Sequence, residues 1–160
     1  MEVKMKHAYK QSVDAVFKGF GSKAVLEKKF KALGARNLEI ESCKLTKSSL
    51  DVKFNREIPT AVPGLLKKFL GEWNFVTQEE HWTGTPGKQY QSTIVVAFKG
   101  VPVSISGTMV LSGDAKGCTN TVTLEVTSPI PLIGRKLADF VGETAAAEGQ
   151  KEYEYLKANL

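Results

Sequence analysis

Apolar and polar residues alternate along most of this chain, and where the alternation stops a spacing of three and four takes its place. The opening VKMKHAY puts Val3, Met5, His7 and Tyr9 on one side and Lys4, Lys6 and Lys10 on the other, which predicts a strand with one wet face. Ser12 then stands as N-cap to a short helix carrying Val13, Val16, Phe17 and Phe20, closed by Gly19 and Gly21. Ser22 caps a second helix, in which Val25, Leu26, Phe30 and Leu33 recur at helical spacing until Gly34. Alternation returns from Arg36 to Ile58 in NLEIESCKL and SSLDVKFNREI, two strands joined through Thr46-Lys47-Ser48 as a hairpin, with Leu50, Val52, Phe54 and Ile58 facing inward.

The segment PTAVPGLLKKFLGEW brackets Leu65, Leu66, Phe69 and Leu70 with prolines and glycines and predicts one or two helical turns. Such an insert closes a pocket mouth or touches a membrane, or else plugs the end of the core. EWNFVTQEEHW follows as a strand rich in aromatics, and residues 83–87 turn the chain. In YQSTIVVAF one parity holds Tyr90, Ser92, Ile94, Val96 and Phe98; in VPVSISGTMVL it holds Val103, Ile105, Met109 and Leu111; VTLEV supplies the last strand. SPIPLIGRKLADFV opens a helix predicted from near Pro131 to about Asn159, which at ~1.5 Å per residue spans ~40 Å and can cross a whole sheet. Its centre is rich in small residues, among them Gly142, Ala145, Ala146, Ala147 and Gly149, which either leave empty volume above the sheet or permit close packing on it. One strand thus precedes two short helices and six follow. An antiparallel sheet that ends in a single long helix lays that helix over its apolar face, and the space between can become a pocket.

Composition narrows the class. At 160 residues, with 42% hydrophobic and 24% charged positions, the chain is read as one globular domain spanning 1–160. No apolar leader opens it and no stretch is long and apolar enough to span a bilayer, so a cytoplasmic location is expected. Cys43 and Cys118 stand alone, without a CxxC or Cys/His cluster, and are read as reduced thiols. The net charge of +5 is concentrated in the first half, much of it in SKAVLEKKFKALGAR. That helix, with Lys67 and Lys68, is a candidate for transient contact with an anionic membrane surface; the plainer reading is a solvated helix face. It lacks interleaved exposed aromatics and any recognisable binding module, so nucleic acid is not expected as a partner.

No metal-ligand spacing, nucleophile elbow or nucleotide-binding loop is present, and no metal or cofactor is expected. The one dense polar constellation is Glu79-Glu80-His81. By alternation Glu79 and His81 share a face with Trp73 and Phe75, while Glu80 and Trp82 share the other. If the Trp73 face lines a cavity, Glu79 and His81 form an acid/base pair at its end, with Tyr90 as a third candidate; otherwise they sit at a wet strand terminus, the commoner placement.

The order strand, two helices, six strands, long helix resembles the helix-grip fold of the START and birch-pollen-allergen-like superfamily, known as SRPBCC. REIPTAVPGLLKKFLGEW, the QEEHW strand end, GVPVSISGTMVL, SPIPLIGRKL and the tail KEYEYL resemble more closely a bacterial family of unknown function within it. The resemblance implies an α+β fold, a seven-stranded antiparallel sheet around the C-terminal helix, with an internal cavity for lipids, sterols, polyketides or similar molecules. It supplies no catalytic residues, so the cavity wall is taken from strand and helix parity. Phe54, Leu66, Phe69, Trp73 and Phe75 are expected from the first half of the sheet and its insert. Tyr90, Ile94, Val96, Ile105 and Met109 are expected from the next two strands, and Leu137, Phe140, Val141 and Thr144 from the helix. Tyr90, Ser92 and Thr144 are the expected hydrogen-bonding groups. The leading functional expectation is a carrier of a small hydrophobic ligand; the alternative is a polyketide cyclase or hydratase using acid/base residues in the same cavity.

Overall fold

The computed structural model describes residues 1–160. Strand β1 (Glu2–Tyr9) leads into helices α1 (Val13–Phe20) and α2 (Lys23–Ala32). Strands β2 (Arg36–Leu45), β3 (Ser49–Pro59), β4 (Trp73–Thr85), β5 (Gln89–Phe98), β6 (Ser104–Gly113) and β7 (Cys118–Thr127) follow, and helix α3 (Gly134–Asn159) closes the fold. The seven strands form one antiparallel sheet in the order β1-β7-β6-β5-β4-β3-β2. α1 and α2 therefore carry the chain from one edge of the sheet to the other.

Local chemistry explains these boundaries. Ser12 Oγ accepts the Ala15 N–H at 3.1 Å and Ser22 Oγ the Val25 N–H at 3.3 Å, so each serine satisfies a first-turn donor that the helix leaves free. Gly34, at φ 84°, occupies the left-handed region and frees the chain to enter β2. In the β2–β3 hairpin Thr46 Oγ1 accepts the N–H groups of Ser48 and Ser49, fixing the turn.

The inner face of the sheet reads Val3, His7 and Tyr9 on β1, and Leu50, Val52, Phe54, Arg56 and Ile58 on β3. On β4 the inner residues are Asn74, Val76, Gln78, Glu80 and Trp82, because Phe54 pairs with Gln78 and Leu50 with Trp82. The insert between β3 and β4 contains a single 3-10 turn, Gly64–Leu66, and buries Leu66 and Leu70, so it closes off the end of the core. Asn74 ties it down, its side chain accepting from Gly71 N–H and donating to Gly71 C=O.

α3 starts three residues later than Pro131. Leu132 takes a left-handed φ of 67° and Ile133 offers no side-chain cap, so the prolines shape a turn before the helix and not its first turn. The helix packs chiefly on β1, β7 and α2. Two glycines sit at that contact: a Cβ on Gly142 would lie 2.5 Å from Met1 Sδ, and one on Gly149 would lie 2.8 Å from Met5 Sδ. With α3 drawn toward β1, the inner faces of β3, β4 and β5 look across a gap.

Candidate functional site

That gap is a cavity of about 150 Å³. Its apolar wall comes from Phe54, Ile58, Val76, Ile94, Val96 and Phe98 on the middle strands, and from Ile105, Met109, Val122 and Leu124 on β6 and β7. α3 contributes Thr144, Ala145, Gly149 and Leu156 from the opposite side. A space of this volume holds a benzene-sized body.

The rim of the cavity is ionisable. Arg56 and Glu80 come from the sheet, Lys29 from α2, Glu148 and Glu152 from α3, and His7 with Asn120 from β1 and β7. Lys29 Nζ lies 3.7 Å from Glu152, and Gln78 Nε2 donates to Glu80 Oε1 at 3.1 Å. Burial pushes the Glu80 carboxyl above its usual range, with Lys29 and the Gln78 amide acting against that shift. Burial also pulls His7 down, partly offset by Glu152, so His7 favours its neutral form. The His7 ring stacks on Tyr153 at 4.4 Å, its Nε2 has no partner, and neither does Asn120 Oδ1 beside it. Trp82 Nε1 lies near Glu80 without reaching hydrogen-bond geometry.

Arg56 is the outlier. It is 7% exposed, its Nε and Nη1 are sealed from solvent without an acceptor, and it forms no ion pair. Its guanidinium lies 4.5 Å from the centroid of Phe30 and 5.2 Å from that of Phe54, and Lys29 Nζ approaches the same Phe30 ring at 4.4 Å. Burial works against the Arg56 charge, while Glu152, Glu148 and Glu80 favour it from a distance.

Of the residues expected from sequence to line a cavity, Phe54, Ile94, Val96, Ile105, Met109 and Thr144 stand on this wall. Trp73 and Phe75 do not: they lie on the outer face, 38% and 37% exposed, beneath Arg36 at 3.8 Å and Lys99 at 5.5 Å. Leu66, Leu137 and Val141 are buried in the solid core away from the cavity, and Phe69 and Phe140 are half-buried outside it. The parity on β4 placed Glu79 and His81 with Trp73, and the structure keeps all of them outside. His81 is held between Asp51 at 2.7 Å and Glu79 at 2.9 Å on the exposed face, and those two acceptors raise its pKa.

Tyr90 is buried but spent. Its hydroxyl serves Asp14 Oδ1 at 2.7 Å and the Lys47 carbonyl at 3.1 Å, a link from β5 to α1 and the hairpin turn. Ser92 Oγ donates to Thr93 C=O and Thr144 Oγ1 to Phe140 C=O, so each expected hydroxyl has spent its one donor inside the protein. Sequence reading passed over Arg56, Lys29, Glu80 and His7 as site groups. The available signal was the inward parity of Arg56 with Phe54 and Ile58. Lys67 and Lys68 are exposed beside exposed Leu65, while Lys29 of the basic helix turns inward to the cavity and off the solvated face. No helix is long and apolar enough to cross a membrane. Cys43 and Cys118 are free thiols.

A seven-stranded antiparallel sheet, two helices after its first strand and one long helix over its inner face define the helix-grip fold of the START and birch-pollen-allergen-like (SRPBCC) superfamily. Solved structures of that shape include a protein from Thermus thermophilus, with TM-score 0.62 and 17% identity over 99% of this chain and 98% of that one. The ZhuI aromatase/cyclase of a Streptomyces species matches with TM-score 0.62 and 10% identity over 99% of this chain and 92% of its own. Human STARD10 matches with TM-score 0.61 and 12% identity over 99% of this chain and 64% of its own. At such identities the likeness is one of fold. Residues 4–160 match the family described as protein of unknown function, DUF2505, and the chain belongs to it. No curated protein matches it.

Proposed function

We propose that this protein binds a small hydrophobic ligand in the cavity between its sheet and α3. The observation that carries the reading is the unfilled space itself, about 150 Å³ walled largely by aliphatic and aromatic side chains. Protein interiors seldom leave such volume unfilled. The aromatase/cyclase of the same fold lends support by analogy. The volume is below the ~300 Å³ typical of drug-sized sites, so the fitting body has about six to eight heavy atoms unless α3 and the insert move apart. Burying about six methylenes at ~0.8 kcal/mol each gives ~5 kcal/mol gross, less the cost of lost ligand freedom, which sets a millimolar or weaker scale for a probe without a polar head.

The test is a titration with 1-hexanol followed by the emission of Trp82, which borders the cavity, in a Trp73→Phe background that removes the other tryptophan. Saturable change is expected, and Ala145→Phe, which places a phenyl ring in the space, abolishes it while the fold persists. Equal titrations in both proteins would remove the cavity from consideration. The acid/base reading through Glu79, His81 and Tyr90 has no geometric support, since none of the three borders the cavity.

A further inference from the structure

We infer that the ligand is an amphipathic anion, a carboxylate or comparable oxyanion on a short hydrocarbon body, with its charged head on Arg56. This rests on the cavity reading above and names the chemistry of its occupant. The guanidinium is always charged and offers five N–H donors in a planar fork. Here it borders the cavity, is more than nine-tenths buried and gives no hydrogen bond to any protein acceptor. A buried charge with no direct hydrogen bond or ion pair is costly even with carboxylates nearby, which leaves room for a direct partner that arrives with the ligand.

The protein's own acids do not fill that role. Glu152 pairs with Lys29 at 3.7 Å, Glu148 with Lys151 at 3.0 Å, and Glu80 accepts from Gln78. Each has a nearer partner and none bonds Arg56 directly, although all three line the same cavity and favour its charge from a distance. Lys29 beside the same Phe30 ring adds a second cation to that side of the cavity. The apolar wall of Ile94, Val96, Ile105 and Met109 is left for the hydrocarbon body. The positive charge of Arg56, with Lys29 on the same side, favours an anionic head over an alcohol or an amine.

The experiment compares hexanoate, 1-hexanol and hexylamine by Trp82 emission in the Trp73→Phe protein. Hexanoate is expected to bind at least ten-fold more tightly than 1-hexanol, and hexylamine the most weakly. In Arg56→Met and Arg56→Gln the advantage of hexanoate over 1-hexanol falls below two-fold, and Arg56→Lys, which keeps the charge, retains part of it. The inference is overturned if 1-hexanol or hexylamine binds more tightly than hexanoate, or if the advantage survives loss of Arg56. Saturation by 1-hexanol with silence from hexanoate rejects the anionic head and leaves the cavity reading standing. Silence from all three rejects both.

Discussion

Arg56 holds a charge where neither water nor a carboxylate reaches its Nε and Nη1, and its two aromatic neighbours return only part of the cost. Cation–π contacts supply about 1 kcal/mol each, against a desolvation penalty of several kcal/mol. Arg56→Met, which keeps the length and removes the charge, is therefore expected to raise the ligand-free melting temperature by at least ~2 °C, the shift that ~1 kcal/mol produces in a chain of this size. A lower melting temperature would show that the charge is satisfied in solution. The two histidines make a second test, because their surroundings push them in opposite directions. His81, with acceptors on both ring nitrogens, titrates above the ordinary value of about 6.5, and buried His7 titrates below it. His81 stabilises the fold fully below pH ~6.5 and loses that contribution as pH rises through its folded pKa. His7 does the reverse: its contribution is complete above pH ~6.5 and is lost as pH falls toward its lowered pKa. Ring-proton NMR titration checks both, and two histidines moving together would contradict the placements.

The elements were legible because their signals are local. Ser12 and Ser22 announce α1 and α2, and strict alternation in β5 and β6 puts Ile94, Val96, Ile105 and Met109 on the wall they occupy. β4 was harder to read, because hydrophobicity argues that Trp73 and Phe75 point inward. The register with β3 decides otherwise, turning Gln78, Glu80 and Trp82 inward and leaving the two aromatics under Arg36 and Lys99. No property of β4 alone carries that information. Tyr90 shows the same limit: its parity is inward, yet its ring stacks on Phe17 at 3.7 Å and its hydroxyl ties β5 to α1. Tyr90→Phe is accordingly expected to cost about 1 kcal/mol in denaturant unfolding and to leave the 1-hexanol titration unchanged. Loss of binding without loss of stability would return Tyr90 to the site.

The cavity belongs to the assembled molecule and not to any one segment. α3 lies closest to β1 and β7, with Gly142 and Gly149 against the side chains of Met1 and Met5, and the cavity opens on the side of β3, β4 and β5. The small residues of α3 were visible in the sequence, but which of them pack closely and which, like Ala145, border open space depends on where the helix comes to rest. The same arrangement brings Lys29, Glu148 and Glu152 to one rim with Arg56, a cluster drawn from three elements that no linear motif records. The most direct check is methyl-selective NMR of the full chain with and without saturating 1-hexanol. Shifts are predicted at Ile94, Ile105, Val122 and Leu124, which border the cavity, with Val13, Val16 and Leu137 in the solid core unmoved. An unchanged spectrum, or shifts confined to exposed Leu65, Val95 and Leu132, would contradict a ligand-holding interior.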